Sequence, residues 1–130
     1  LHTNYEGKAD AAIHALLEDG YDFAYVHVEA PDEMGHMGSM TDKITAIENV
    51  DGRVVARITE AMDQSGEDYR LMILPTPICV RTHTSEPVPY MIYDSRKAID
   101  GIHTYNEKEA AKSTCIWKDG YRLIDHLLEC

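Results

Sequence analysis

Apolar residues first recur at helical spacing. Ala12, Ile13, Leu16 and Leu17 fall along one side of a helix that Asn4 or Thr3 can cap and that runs to about Asp19, where Gly20 stops it. The period then changes. YDFAYVHVEA is rich in aromatic and β-branched residues and almost continuously apolar, the pattern of a central parallel strand covered on both faces and ending near Glu29. A loop from Ala30 to Ser39 leads into a long helical pattern, Met40 to Asp63, with Ile44, Ile47, Val54, Val55, Ile58 and Met62 as its inner side. Ser65 and Gly66 close it. Two further strands, YRLMILP and VPYMIYD, flank a polar loop that runs through Glu86. Beyond Ser95 the pattern is less regular, with a helix at Asn106 to Lys112 and a clearer one from Asp119 to Leu128. This order reads as a βαβ unit with an extra strand, and the fold class is α/β, a mostly parallel sheet flanked by helices.

Length and charge narrow the functional classes. A chain of 130 residues, 44% of them hydrophobic, suits one domain or part of a larger one. The 23 acidic side chains against 12 Lys and Arg give a net charge of −11, which repels phosphate backbones and anionic membrane surfaces. Neither nucleic acid nor a membrane is an expected partner. An anionic substrate would need a local device against that field, and a bound divalent cation is the usual one. Cys79, Cys115 and Cys130 form no CxxC pair, and their odd number argues against a complete disulfide framework, so a reducing cytoplasm is expected. The chain opens on Leu1 and His2 without the charged and apolar regions of a signal peptide, which reads as a fragment.

Candidate chemistry collects where the strands are expected to end. Ligands in open α/β sheets gather at the carboxyl edge, and EAPDEMGHMG puts Asp32 and His36 directly after the first apolar run. His83, in VRTHTSEPVP, follows the second strand and can reach the same rim. One carboxylate and two imidazoles suit Zn, Mn or Fe, whereas Mg prefers oxygen ligands. Each residue alone also has an ordinary explanation. Asp after Pro is common in turns, His36 can be an exposed surface residue, and His83 between two threonines can be a hydrogen-bonded loop histidine.

Four stretches taken together, TNYEGKADAA, HVEAPDEMGHMG, KITAIENVDGRVV and LMILPTPICVRTHTSEPVPYMIYD, resemble the carboxyl-terminal part of the archaeal-type cofactor-independent phosphoglycerate mutases, within the alkaline phosphatase superfamily. The resemblance spans nearly the whole chain. It implies that residues 1–130 are the carboxyl-terminal segment of an alkaline-phosphatase-like metal-binding domain. The amino-terminal part, with its nucleophilic serine and a further metal-binding Asp, and the inserted substrate domain are not in this chain. The implied enzyme is a cytoplasmic isomerase of glycolysis and gluconeogenesis, with two divalent ions, Mn or Zn, and a small phosphorylated metabolite as substrate. It interconverts 2-phosphoglycerate and 3-phosphoglycerate through a phosphoserine. By position in the family motifs, Asp32, His36 and His83 bind one metal, with Glu29, Glu33 or Glu86 near enough in sequence to support the imidazoles.

One departure bears on activity. The family holds its second metal partly through an Asp-His pair in a run like LPDHPTPI, where this chain reads Leu74, Pro75 and Thr76 in succession. A three-residue deletion and a mobile metal loop missing from the sequence are the two readings. The second is favoured, because an empty metal site leaves like-charged ligands unpaired. Either way, the chain by itself is expected to be inactive. A homoserine kinase built on the same metals, and a non-catalytic remnant of the fold, are the alternatives. Elsewhere, Asn4 and Lys8 read as cap and surface, His27 as a satisfied core histidine, Trp117 as core or interface, and Glu107, Glu109, Asp119 and Asp125 as a solvated face.

Overall fold

A computed structural model describes residues 3–75, 87–97 and 99–129, and these fall into two compact units, one running to Glu67 and the other beginning at Asp68.

The first unit is helical. Helix α1 (Tyr5–Leu17) starts where expected, with the Asn4 side chain accepting from the Gly7 amide at 3.0 Å. The segment expected to be a loop instead forms α2 (Ala30–Met37). Pro31 sits in the first turn, where no amide donor is needed, and Gly38 takes the left-handed conformation (φ 68°) that ends it. Ser39 then caps α3 (Met40–Val50) by accepting from the Asp42 amide, while its hydroxyl donates to the Asp42 carboxylate at 2.6 Å. The long helix expected next is interrupted by a π-turn, Asp51–Val55, before α4 (Ala56–Ser65).

That extra residue moves the inward face. On α3 the buried positions are Lys43 and Ala46, and the expected inner residues Ile44 and Ile47 are about half exposed. From the π-turn onward Val54, Ile58 and Met62 are buried as expected. They pack towards Tyr5, Ala9 and Ala12 of α1, whose small alanines allow close approach. Two forked ion pairs border this contact: Arg53 holds Glu6 at 2.5 and 2.8 Å, and Arg57 holds Asp10 at 2.6 and 3.1 Å. The Arg53 guanidinium also lies 4.8 Å from the centre of the Tyr5 ring.

Residues 21–29, expected as a central strand, carry no ladder partner among the described residues. They run beside α1 as unpaired chain, with Tyr21, Phe23 and Tyr25 exposed. Such a strand needs a neighbour on each side, and the two strands that do form pair with each other. His27 is accordingly exposed rather than a core histidine, 3.9 Å from Glu29.

The second unit holds those strands, β1 (Arg70–Ile73) and β2 (Met91–Asp94), within the two runs expected. They are antiparallel, with Arg70 opposite Asp94 and Ile73 opposite Met91, so the described residues show neither the parallel sheet nor the βαβ unit. Arg70 ties this unit together. Its Nε donates to Asp94 at 2.8 Å, and its Nη1 to the carbonyls of Leu127 and Glu129, beyond the middle of α6 (Leu123–Leu128). Arg96 and then Arg70 hold the Asp94 carboxyl well below the usual carboxylate range. Asn106 caps the short α5 (Glu107–Ala110), and a 3-10 turn, Gly120–Arg122, precedes α6, both within the helical stretches expected. Tyr105 donates to the Pro89 carbonyl at 3.1 Å, and burial pushes its hydroxyl up to about 12. Trp117 is partly exposed and lies 5.2 Å from the His126 ring. Among the described residues, no helix is long and apolar enough to cross a membrane.

Candidate metal half-site on α2

Folding 30–37 as a helix settles the relation between the first two candidates. Asp32 and His36 stand four apart, so their side chains share one face. His36 Nε2 lies 3.2 Å from Asp32 Oδ2, with the two side chains 40% and 34% exposed. Donors sitting about 2.0–2.1 Å from a tetrahedral ion are about 3.3 Å apart along one edge of the polyhedron. The pair therefore has the spacing of two ligands to one cation, and it opens towards solvent. The same spacing serves a hydrogen bond from imidazole to carboxylate, so geometry alone makes this a half-site.

The remaining candidates are distributed unevenly. His83 lies outside the described residues, as do Glu86 and Thr76, and with Thr76 the junction where the second metal's Asp-His pair is lacking. Among the described residues, no group of three or more His, Cys, Asp or Glu converges on one point. The structure thus brings together Asp32 and His36, and among the described residues no third candidate joins them. Glu29 precedes α2 and faces His27, and Glu33 is exposed in its first turn.

One participant escapes the sequence reading. Lys43 is 6% exposed, the one charged residue buried among those described. It projects from α3 onto α2, where Gly35 is also buried. A Cβ built on Gly35 would meet Lys43 Nζ at 3.2 Å. The available signal is the stripe 43, 46, 50, 54, which puts a lysine in line with apolar residues once the π-turn is allowed for.

Comparison with known proteins agrees with this chemistry. The model of the metalloenzyme superfamily matches residues 1–125. A probable 2,3-bisphosphoglycerate-independent phosphoglycerate mutase of Geobacter sulfurreducens is 40% identical over 99% of this chain and 33% of its own length. The 2,3-bisphosphoglycerate-independent phosphoglycerate mutase of Methanosarcina acetivorans is 47% identical over 83% of the chain and 28% of its own length. That of Methanothrix thermoacetophila is 40% identical over 96% and 31%. The chain spans about a third of the length of the curated relatives it matches. No solved structure matches. With its match covering almost every residue, the chain belongs to the metalloenzyme superfamily.

Proposed function

We propose that this chain is the carboxyl-terminal segment of a divalent-metal-dependent, 2,3-bisphosphoglycerate-independent phosphoglycerate mutase, an isomerase interconverting 3-phosphoglycerate and 2-phosphoglycerate. The observation that carries the proposal is the Asp32–His36 pair, 3.2 Å apart on α2, in a chain whose superfamily match runs from residue 1 to 125. The relatives' names supply the substrate class.

In this reading Asp32 and His36 hold one Mn or Zn ion together with His83, and a second ion and the serine that carries the phosphoryl group lie elsewhere in the protein. When bound, the two ions stabilise negative charge on the phosphoryl oxygens and favour ionisation of the serine. The chain's own residues do the holding. Asp32 presents a carboxylate oxygen, His36 presents Nε2, and the helix fixes the two at ligand spacing. Residues 21–29, with their exposed aromatics, are the strand to which the rest of the protein adds parallel neighbours, completing an alkaline-phosphatase-like sheet. The protein acts in the cytoplasm on a small phosphorylated metabolite, with no nucleic acid or membrane as partner.

The test is conversion of 3-phosphoglycerate by the intact protein, read through a coupled dehydration of 2-phosphoglycerate, with Mn2+ and with chelator. Conversion that depends on metal supports the reading. No conversion, with phosphorylation of homoserine from a nucleoside triphosphate instead, overturns it.

A second reading rests on Leu74, Pro75 and Thr76 standing where the family has its second Asp-His pair. It makes the protein a non-catalytic remnant holding one metal at most. Two tight equivalents of Mn2+ in a titration of the intact protein exclude it.

A further inference from the structure

Lys43 has the burial of a core residue and the charge of a surface one. Lysine stems are often covered while the ammonium stays in water. Here the head is covered too, because Nζ, Cδ and Cε lie 3.2, 3.8 and 4.0 Å from the place a Gly35 side chain would begin. A buried ammonium is confined to one place by the groups around it, and a glycine inside a helix makes room that any other residue would fill. Both features meet at one contact, between the helix that carries the proposed metal donors and the helix packed on it.

The place of that contact gives it a role. Gly35 lies one turn on from Asp32 and next in sequence to His36, on the buried side of α2 that meets α3, so the contact at its notch sets how far α2 is turned about its own axis. Lys43 fills the notch from α3. We propose that Lys43 is a positioning residue for the metal half-site: its side chain, seated in the Gly35 notch, fixes the rotation of α2 and with it the direction in which the Asp32 and His36 donor atoms face. The inference rests on reading Asp32 and His36 as metal donors.

The sign of the effect separates positioning from bulk charge. An ammonium near a cation site repels the metal, so if Lys43 acted only through its charge, Lys43→Met would tighten metal binding. A positioning role predicts the reverse. Groups that orient metal ligands from behind are commonly worth ten- to hundredfold in affinity.

The experiment is a calorimetric titration of the intact, metal-stripped protein with Mn2+, alongside the thermal midpoint of each metal-free variant. Lys43→Met should weaken binding ten- to hundredfold. Gly35→Ala, which displaces the ammonium while improving the helix, should weaken binding at least threefold with an unchanged or raised midpoint. Binding by folded Lys43→Met that is tighter, or within twofold of the parent, overturns the proposal. If Lys43→Met does not fold, unchanged binding by Gly35→Ala overturns it. Asp32→Ala and His36→Ala in the same series tell two failures apart. If they bind like the parent, the donor reading falls and Lys43 with it; if they lose the metal while Lys43→Met keeps it, only the role of Lys43 falls.

Discussion

Replacing Gly38 by alanine tests the corner that sets α2 against α3. Gly38 has φ 68° and ψ 22°, and its amide donates to the Gly35 carbonyl at 3.0 Å while the Ser39 amide donates to that of Met34 at 3.1 Å. This is the paired Schellman pattern, and Ser39 at once caps the next helix. A Cβ in the left-handed region costs about 1–2 kcal/mol. Alanine also restricts the unfolded chain, which returns about 0.4–1 kcal/mol. The net expectation is a loss of about 0.5–1.5 kcal/mol from these two opposing effects, read as a lower urea midpoint when the helical circular dichroism of the intact protein is followed. Gly38→Asn should lose less, because asparagine tolerates this conformation. Asp32 and His36, the proposed donors, are spaced by α2 itself, and Lys43 still seats against Gly35, so Mn2+ affinity should stay within threefold. A Gly38→Ala protein as stable as the parent would refute the corner. Full stability with collapsed metal affinity would refute the claim that the Lys43 seat is enough to fix α2.

Other expectations concern the second unit and the third ligand. The Asp94 carboxyl is held low by Arg96 and Arg70, so its contribution to stability is present above about pH 4 and is lost as the pH falls towards its folded value. Asp94→Asn should therefore flatten the acid limb of the unfolding midpoint below about pH 5, and parallel limbs would show that the pairing is not retained in solution. Burial raises the Tyr105 hydroxyl from 10.0 to about 12, so the protonated form favours the fold below about pH 10 and that advantage disappears as the pH rises through 12. Tyr105→Phe removes the bond to Pro89, costs about 1 kcal/mol at neutral pH, and should lose the excess slope between pH 10 and 12. His83→Ala should weaken metal binding at least tenfold, and an unchanged affinity removes His83 from the ligand set.

Residue types and helix ends are more legible in this sequence than the way its elements pair. Asp32 and His36 stand out from their types and spacing, yet Pro31, Gly35 and Gly38 are turn-forming residues and point to a loop there. Each has a helical use here: Pro31 in the first turn, Gly35 under Lys43, and Gly38 at the left-handed end. The cap at Asn4 is legible because a side chain satisfying a nearby amide is a local event. The π-turn is not, since one extra residue leaves composition unchanged and only alters the phase, so the pattern points Ile44 and Ile47 inward where Lys43 and Ala46 are the buried residues. Strand pairing is a property of neighbours, which explains why β1 and β2 are legible in the sequence while their antiparallel partnership, and the lack of a ladder partner for residues 21–29 among the described residues, are not.

The central claim is that Asp32 and His36 share a divalent ion with His83. A crystal structure of the intact protein with Mn2+, with data collected to record the anomalous signal of manganese, addresses it most directly. The account predicts an anomalous peak about 2.0–2.3 Å from a carboxylate oxygen of Asp32, Nε2 of His36 and a ring nitrogen of His83. A manganese peak bound elsewhere, with Asp32 and His36 hydrogen-bonded only to each other, would contradict it.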